Sequence, residues 1–327
     1  IEQASMRFKS GDPFRDDLEM LRMLKREYDI AISLRRYAFQ NSSVIINMAR
    51  AKKKYAFWLH PVDLSAKEAA ECHSECEHIV LENQLCDEAE YYAACVEKIF
   101  GQPVASAPQL RLPPRSLVQR DAKAIALGIG AFGKNAWPRV HWRRLVELLS
   151  NAGYESYLFG GEDKIEMAEF LSSGIPNVVS HVGKLGIQEA AALLSSFKLY
   201  VGNDSGFSHF ASLITESMLI LVGGGTYPRF FPWKGNPKQH AIVNPLPCFD
   251  CNWTCKRSRP DCLDGISPEL VFETIEKLRL GQPVERVITA GNVNVNYASA
   301  PSGMEKLSKN VYFPDTLREF NANQPCS

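Results

Sequence analysis

Val201-Gly202-Asn203-Asp204-Ser205-Gly206-Phe207-Ser208-His209-Phe210-Ala211-Ser212 is the stretch whose reading decides the fold. Leu199-Tyr200-Val201 before it reads as a short buried strand, and Phe207 to Ile214 after it as a helix. The polar residues between therefore occupy a strand-to-helix turn, where α/β proteins bind ligands. Amides at a helix start lack partners and favour negative charge, and Gly206 leaves the backbone open to a close approach. Ser205 adds a hydroxyl, and His209 lies one helical turn further on, directed back toward the same end. Taken singly, Asp204 or Ser205 reads as an N-cap and His209 as a packed helix residue. Their convergence on one turn favours a site.

Outward from that turn, the chain alternates regularly. Strands are expected at 124–127, 154–159, 177–180, 198–201 and 218–222, with helices at 140–151, 165–172, 187–195 and 207–214 between them. Repeated βα units of this kind predict a parallel sheet covered on both faces, with ligands at the carboxyl ends of its strands.

Three further loops fall at those strand ends. Gly128-Ile129-Gly130-Ala131-Phe132-Gly133 has the spacing of a dinucleotide fingerprint, but Lys134 to Pro138 intervene before the helix. NAD is therefore the weaker reading of that loop, and Pro138 fits a first helical turn. Phe159-Gly160-Gly161-Glu162-Asp163 offers a carboxylate able to accept both hydroxyls of a ribose, or else a cap for the next helix. Gly223-Gly224-Gly225-Thr226, followed by Arg229, offers backbone access and phosphate donors.

The segment Gly202-Asn203-Asp204-Ser205-Gly206, with His209 and Ala211, resembles the G-N-D-[ST]-G-x-x-H-x-A segment of glycosyltransferase family 9, the lipopolysaccharide heptosyltransferase family. Phe207 stands where many members carry Pro or Leu. The resemblance implies a GT-B-like fold of two Rossmann-like α/β domains. It implies inverting transfer of a sugar, a heptose or related hexose, from a nucleotide-diphospho-sugar such as ADP-heptose to a lipopolysaccharide-type acceptor. It further implies donor contacts from Lys134, Glu162, Asp163, Asp204, Ser205, Gly206, His209 and Thr226. Lys134 precedes Trp137-Pro138 by one residue more than is usual in the family, whose phenylalanine-glycine-proline-threonine-like segment is here largely glycine.

The first third reads as α/β: a helix at 14–26, a strand at 28–34, a helix capped by Asn41-Ser42-Ser43 to about Arg50, a strand at 55–59 and a helix at 87–100. In the resembling family a strand like Tyr28–Leu34 comes late in the acceptor domain, so two or three βα units, at roughly 30 residues each, are expected to be missing. The family's proposed base follows its first strand in a Gly-Asp context. Gly11-Asp12 has the dipeptide without the strand, so no catalytic residue is assigned. Arg35, Arg36, Arg50, Lys52, Lys53 and Lys54 suit either an acidic acceptor or a solvated face. Cys72, His73, Cys76 and His78 match no familiar metal spacing.

The expected organisation is a partial acceptor-side domain at 1–101, a proline-rich linker at 102–120, a nucleotide-sugar-binding domain at 121–280 closed by a helix from Ser267-Pro268-Glu269 to Leu280, and a polar tail at 281–327. The chain has 327 residues, 45% hydrophobic and 23% charged, which suits two domains, and a formal net charge of zero, which offers nucleic acid nothing. No apolar run spans a bilayer and no leader pattern opens the chain, so a cytoplasmic protein is expected, with peripheral contact at the inner face of the inner membrane.

Four of the nine cysteines crowd at Cys248, Cys251, Cys255 and Cys262. Four thiolates can close a structural zinc or iron site; disulfides or buried thiols are the competing reading, and no cofactor is expected to be required for catalysis. Two other classes stay open: a non-catalytic nucleotide-sugar-binding relative, and an NAD-dependent oxidoreductase resting on the glycines at 128–133.

Overall fold

A computed structural model describes residues 21–33, 45–59, 76–81, 88–104, 120–121, 123–233, 236–249, 251, 253, 255 and 260–290. The expectations at Asp12, Arg35, Arg36, Asn41 to Ser43, Cys72, His73, residues 105–119 of the linker and the tail from 291 lie outside them. The chain divides into two compact units, one of residues 1–84 and 91–104, the other of 85–90 and 105–327.

In the first unit, strands β1 (Glu27–Ser33), β2 (Arg50–Leu59) and β3 (Glu77–Leu81) form a parallel sheet in that order, and helix α1 spans Glu88–Phe100. Among the described residues the helix expected to reach Arg50 covers 45–48, and β2 starts at Arg50 itself. Lysines at 52–54 alternate across a pleat as readily as around a helix, and pairing with β1 decides between them. Arg50 bonds Glu27 at 3.0 Å and Lys52 bonds Asp29 at 2.7 Å, while Lys54 donates to the Asn47 carbonyl at 2.6 Å. These pairs are exposed, so they neutralise the basic run more than they stabilise the sheet. Strand β3 begins directly after Cys76 and carries His78.

The second unit holds a seven-stranded, all-parallel sheet. Its strands are β4 (Ala124–Gly128), β5 (Glu155–Phe159), β6 (Val178–Ser180), β7 (Leu199–Asn203), β8 (Ser217–Val222), β9 (Gln239–Val243) and β10 (Val287–Thr289). The order is β10-β9-β8-β7-β4-β5-β6. Every residue of β4 and β7 is buried, as expected of strands covered on both faces. Helix α2 (Arg139–Asn151) buries Trp142, Leu145, Val146 and Leu149, one stripe at three- and four-residue spacing. Helices α3 (Ile165–Ser172), α4 (Ile187–Leu194) and α5 (Gly206–Ala211) follow as the alternation predicts.

Strands β9 and β10 were not legible as strands; β10 lies beyond residue 280, in what reads from sequence as polar tail, and pairs with β9 from Val287 opposite Ala241. Helices α6 (Asp261–Asp264) and α7 (Pro268–Arg279) complete the unit, α7 capped by the Ser267 hydroxyl, which accepts from the Leu270 amide.

Sequential strands step outward from β4 through β5 to β6, then jump back to β7 on its other side and run to β10. The order reverses between β4 and β7. The crevice beyond the carboxyl ends of that pair is the switch point where open parallel sheets bind ligands.

Candidate functional site

The turn after β7 sits at that switch point. Asn203 ends the strand fully buried; its Oδ1 accepts from the Trp137 amide at 3.3 Å and its Nδ2 reaches the Leu221 carbonyl at 3.5 Å. From the loop after β4, Asn135 Nδ2 donates to the Asp204 carbonyl at 2.7 Å. The loops on both sides of the switch are thereby tied to one another. Ser205 caps α5, accepting from the Ser208 amide at 3.3 Å, so the capping role open from sequence is realised.

Asp204 is 4% exposed. Thr226, from the loop after β8, donates its hydroxyl to Asp204 Oδ2 at 2.9 Å, and His209 Nε2 lies 3.4 Å from Asp204 Oδ1. Both carboxylate oxygens thus have a defined neighbour, as a buried carboxylate requires. The His209 ring stacks on Phe231 at 4.4 Å between centroids and on Trp233 at 5.6 Å, with Phe230 edge-on. Among the described residues its Nδ1 has no hydrogen-bond partner. An imidazole held by one carboxylate and packed against three aromatic rings keeps one orientation.

Two glycines in the turn have different reasons. A Cβ on Gly202 would run into the Tyr200 ring and hydroxyl, and a Cβ on Gly128 would meet the same ring. Tyr200 passes beneath both to reach Ser208 Oγ at 2.9 Å, and its burial raises its phenol far above the ordinary range. At Gly206 a Cβ would meet nothing within 4 Å. The protein itself therefore does not need glycine there, and the space beside the turn is open.

The loop after β4 does not meet the geometry of a dinucleotide fingerprint. Gly128 is accounted for by Tyr200, Gly133 takes φ +53° in a short 3-10 turn, and α2 starts only at Arg139. Lys134, in that 3-10 turn, donates to the Cys255 carbonyl at 3.0 Å. Trp137, fully buried, donates Nε1–H to the Ile266 carbonyl at 3.0 Å and packs edge-on against Trp142.

After β5, Glu162 and Asp163 lie on another 3-10 turn, Glu162–Lys164, and are exposed. Neither carboxylate caps the turn or α3, so the capping reading gains no bond. Asp163 pairs with Lys164 at 3.1 Å, whose Nζ also sits 3.7 Å over the Phe132 ring; Phe132 itself is 64% exposed.

The loop after β8 differs from its sequence reading. Cβ atoms at Gly223 and Gly225 would enter the Trp253 indole, and one at Gly224 would enter the Phe249 ring. These glycines make room for aromatic side chains of the cysteine segment, not for a ligand. The Thr226 hydroxyl is engaged by Asp204, and Arg229, 5% exposed, reaches the Gly225 carbonyl at 3.5 Å. Thr226 accordingly acts here by holding Asp204. Asn135, Phe231 and Trp233 were not singled out from sequence as parts of this turn's surroundings, whereas Asn203, ending its buried strand, was part of the quoted set.

Cys248, Cys251, Cys255 and Cys262 line one small pocket with Trp253 and Pro260. Among the described residues no three His, Cys, Asp or Glu side chains stand in metal-holding geometry.

The family described as Glycosyltransferase family 9 (heptosyltransferase) matches residues 18–257, most of the chain. The chain belongs to that family. Among curated relatives, this family 9 chain is 31% identical over 101 residues to lipooligosaccharide heptosyltransferase 2 of Haemophilus influenzae, covering 29% of each. It is 27% identical over 160 residues to lipopolysaccharide heptosyltransferase 1 of Pseudomonas aeruginosa, covering 44% of each. The matched stretches thus span less than half the length of those two relatives. A lipooligosaccharide heptosyltransferase 2 of Campylobacter jejuni matches at 23% identity over 85% of this chain and 82% of its own. Of solved structures, E. coli heptosyltransferase WaaC with ADP-2-deoxy-2-fluoro heptose superposes with a TM-score of 0.52 at 18% identity, covering 83% of this chain and 79% of that one. That likeness agrees with the GT-B-like α/β fold expected from the sequence. No helix among the described residues is long and apolar enough to cross a membrane.

Proposed function

We propose that the chain is an inverting glycosyltransferase that moves a heptose from ADP-heptose to a lipopolysaccharide-type glycan acceptor. The observation that carries the reading is the buried Asp204, held by Thr226 and facing His209, beside an open Gly206 at the switch point of a parallel sheet. Family membership and relatives named as heptosyltransferases support the sugar; the E. coli structure, with its ADP-2-deoxy-2-fluoro heptose, supports the nucleotide.

In this reaction an acceptor hydroxyl oxygen forms a bond to the anomeric carbon from the face opposite the donor phosphate. The carbon–oxygen bond to the diphosphate breaks, its electron pair leaves with ADP, and the hydroxyl proton passes to a base. Ser205, Gly206 and His209 supply the turn beside the departing diphosphate, and Asp204 and Thr226 keep His209 in place. Fixed dipoles and charge aimed at a leaving group lower the barrier because they need no reorganisation during reaction. Lys134 adds a cation near the same loops, and Glu162 or Asp163 offers acceptors for the ribose hydroxyls. No residue is assigned as the base. A nucleotide sugar and a lipid-linked glycan meet at the cytoplasmic face of the inner membrane, which is where we place the activity.

The test is calorimetric titration of the full chain with ADP, UDP, GDP and NAD, followed by ADP release from ADP-heptose in the presence of acceptor. ADP-selective binding that weakens at least tenfold in Asp204→Ala and His209→Ala is expected. NAD binding alone overturns the reading in favour of an oxidoreductase, and ADP-heptose binding without turnover makes the chain a non-catalytic relative.

A further inference from the structure

Gly128 and Gly202 stand opposite one another where β4 pairs with β7, at the switch point itself. Both lie against Tyr200: a Cβ on Gly128 would fall 1.8 Å from the phenol oxygen, and one on Gly202 2.6 Å from it. The glycine pair therefore leaves a slot that the protein fills from within. Tyr200 is fully buried, and its ring runs under both strand ends to carry one polar atom toward α5. Phenylalanine would fill the same slot. The hydroxyl is the part that packing does not explain, and a buried hydroxyl needs a partner.

Each proton of this cluster has one place. Ser208 Oγ donates to the Asn203 carbonyl, which can only accept, and that uses the single proton Ser208 has. The Tyr200 hydroxyl lies 2.9 Å from Ser208 Oγ and has no other hydrogen-bond partner among the described residues, so it is the donor of that pair. Burial keeps the phenol protonated for this purpose. Ser205 Oγ accepts from the Ser208 amide at 3.3 Å and lies 3.2 Å from Ser208 Oγ. Ser208 has no proton left for that second contact. The proton of the half-buried Ser205 is thus the one not committed to the interior: it turns inward to the last lone pair of Ser208, or outward to the open space beside Gly206.

Tyr200 weights that choice. A hydroxyl oxygen that already accepts one hydrogen bond is a poorer acceptor for a second, because each donor draws on the same electron density. We infer that Tyr200 is a positioning residue for the donor diphosphate: by donating to Ser208 Oγ it frees the Ser205 hydroxyl to give its proton to an anionic oxygen beside Gly206. The inference rests on the donor-site reading above. Tyr200 touches no substrate and acts through Ser208 and Ser205, two side chains whose fixed partners orient the hydroxyl before the anion arrives.

The experiment is calorimetric titration of the full chain with ADP, in wild type and in variants of these three residues. Tyr200→Phe keeps the ring under both glycines and should keep the wild-type circular dichroism. Its ADP dissociation constant should rise roughly threefold or more, the worth of one hydrogen bond. Added to Ser205→Ala, the same change should cause no further rise, since the hydroxyl it acts through is gone. The decisive variant is Tyr200→Phe with Ser208→Ala, which takes away the inward acceptor and should bring ADP affinity back toward wild type. A merely structural role for Tyr200 predicts the opposite, because a second deletion from the interior deepens the loss. ADP binding that Tyr200→Phe leaves unchanged, a full additional loss in the Ser205→Ala background, or no recovery with Ser208→Ala overturns the inference and leaves the donor reading standing. A wild-type chain that binds no ADP overturns the donor reading, and the inference falls with it.

Discussion

The turns after β7 and β8 are neighbours on one sheet edge, both glycine-bearing, and they use glycine for opposite ends. After β7, Gly206 faces open space and its missing side chain serves nothing in the protein. After β8, Gly223, Gly224 and Gly225 are each overlaid by an aromatic ring, and their missing side chains are occupied by Trp253 and Phe249. A glycine therefore marks a ligand only when the protein leaves the space empty. The same residue under a ring marks packing.

The sharpest way to break this contrast is to add one methyl to each turn. Gly225→Ala drives a Cβ into the Trp253 indole and is expected to cost about 2–3 kcal/mol of unfolding free energy in denaturant titration, as overpacking does. Gly206→Ala, with nothing to strike, should change stability by less than about 0.5 kcal/mol and yet weaken ADP binding. If the two variants lose stability equally, the distinction drawn between the turns is wrong.

Shrinking the ring tests the same contact from its other side. Trp253→Ala added to Gly225→Ala should restore part of the lost stability, giving a favourable coupling of at least about 1 kcal/mol in the double-mutant cycle. Strictly additive losses would mean that the indole does not rest on that glycine.

Next in size is Thr226→Val, which keeps the shape and removes the donor to Asp204. A buried carboxylate oxygen left without its partner costs about 1–3 kcal/mol. ADP affinity should fall with it, and Thr226→Ser, which restores the hydroxyl, should recover most of both.

The smallest effect concerns alkaline pH. Burial pushes Tyr227 up to about 12 from an ordinary value near 10. The unfolded chain then loses this proton before the folded one does, so the contribution is complete below pH 10 and declines between pH 10 and 12. Tyr227→Phe should flatten the fall in stability over that interval, seen in denaturant midpoints at pH 8, 10 and 11. An unchanged slope would show that the phenol stays protonated in neither state more than the other.

Much of the second unit was legible because its signals are local. The alternation from Ala124 to Val222 follows from runs such as Ala124–Leu127 and the stripe of Trp142, Leu145, Val146 and Leu149, and each element needs only its own residues to be read. The ordered polar set from Asn203 to His209 named the turn for the same reason. Strands β9 and β10 escaped because Gln239-His240 and the three residues Val287–Thr289 carry too little apolar period; a neighbouring strand makes them strands. The start of β2 escaped because a lysine run has no face until Glu27 and Asp29 lie across from it.

Sequence alone determined that this chain is α/β, that its second half is a run of βα units, and that Asp204, Ser205 and His209 share one strand-to-helix turn, since each of these depends on residues adjacent in the chain. Only the tertiary structure decided that Thr226 holds Asp204, that Lys134 reaches Cys255, and that the triple glycine is a seat for Trp253 and Phe249. Those contacts join residues from about 20 to more than 100 positions apart, and no local propensity encodes a partner that only the folding of the sheet brings near.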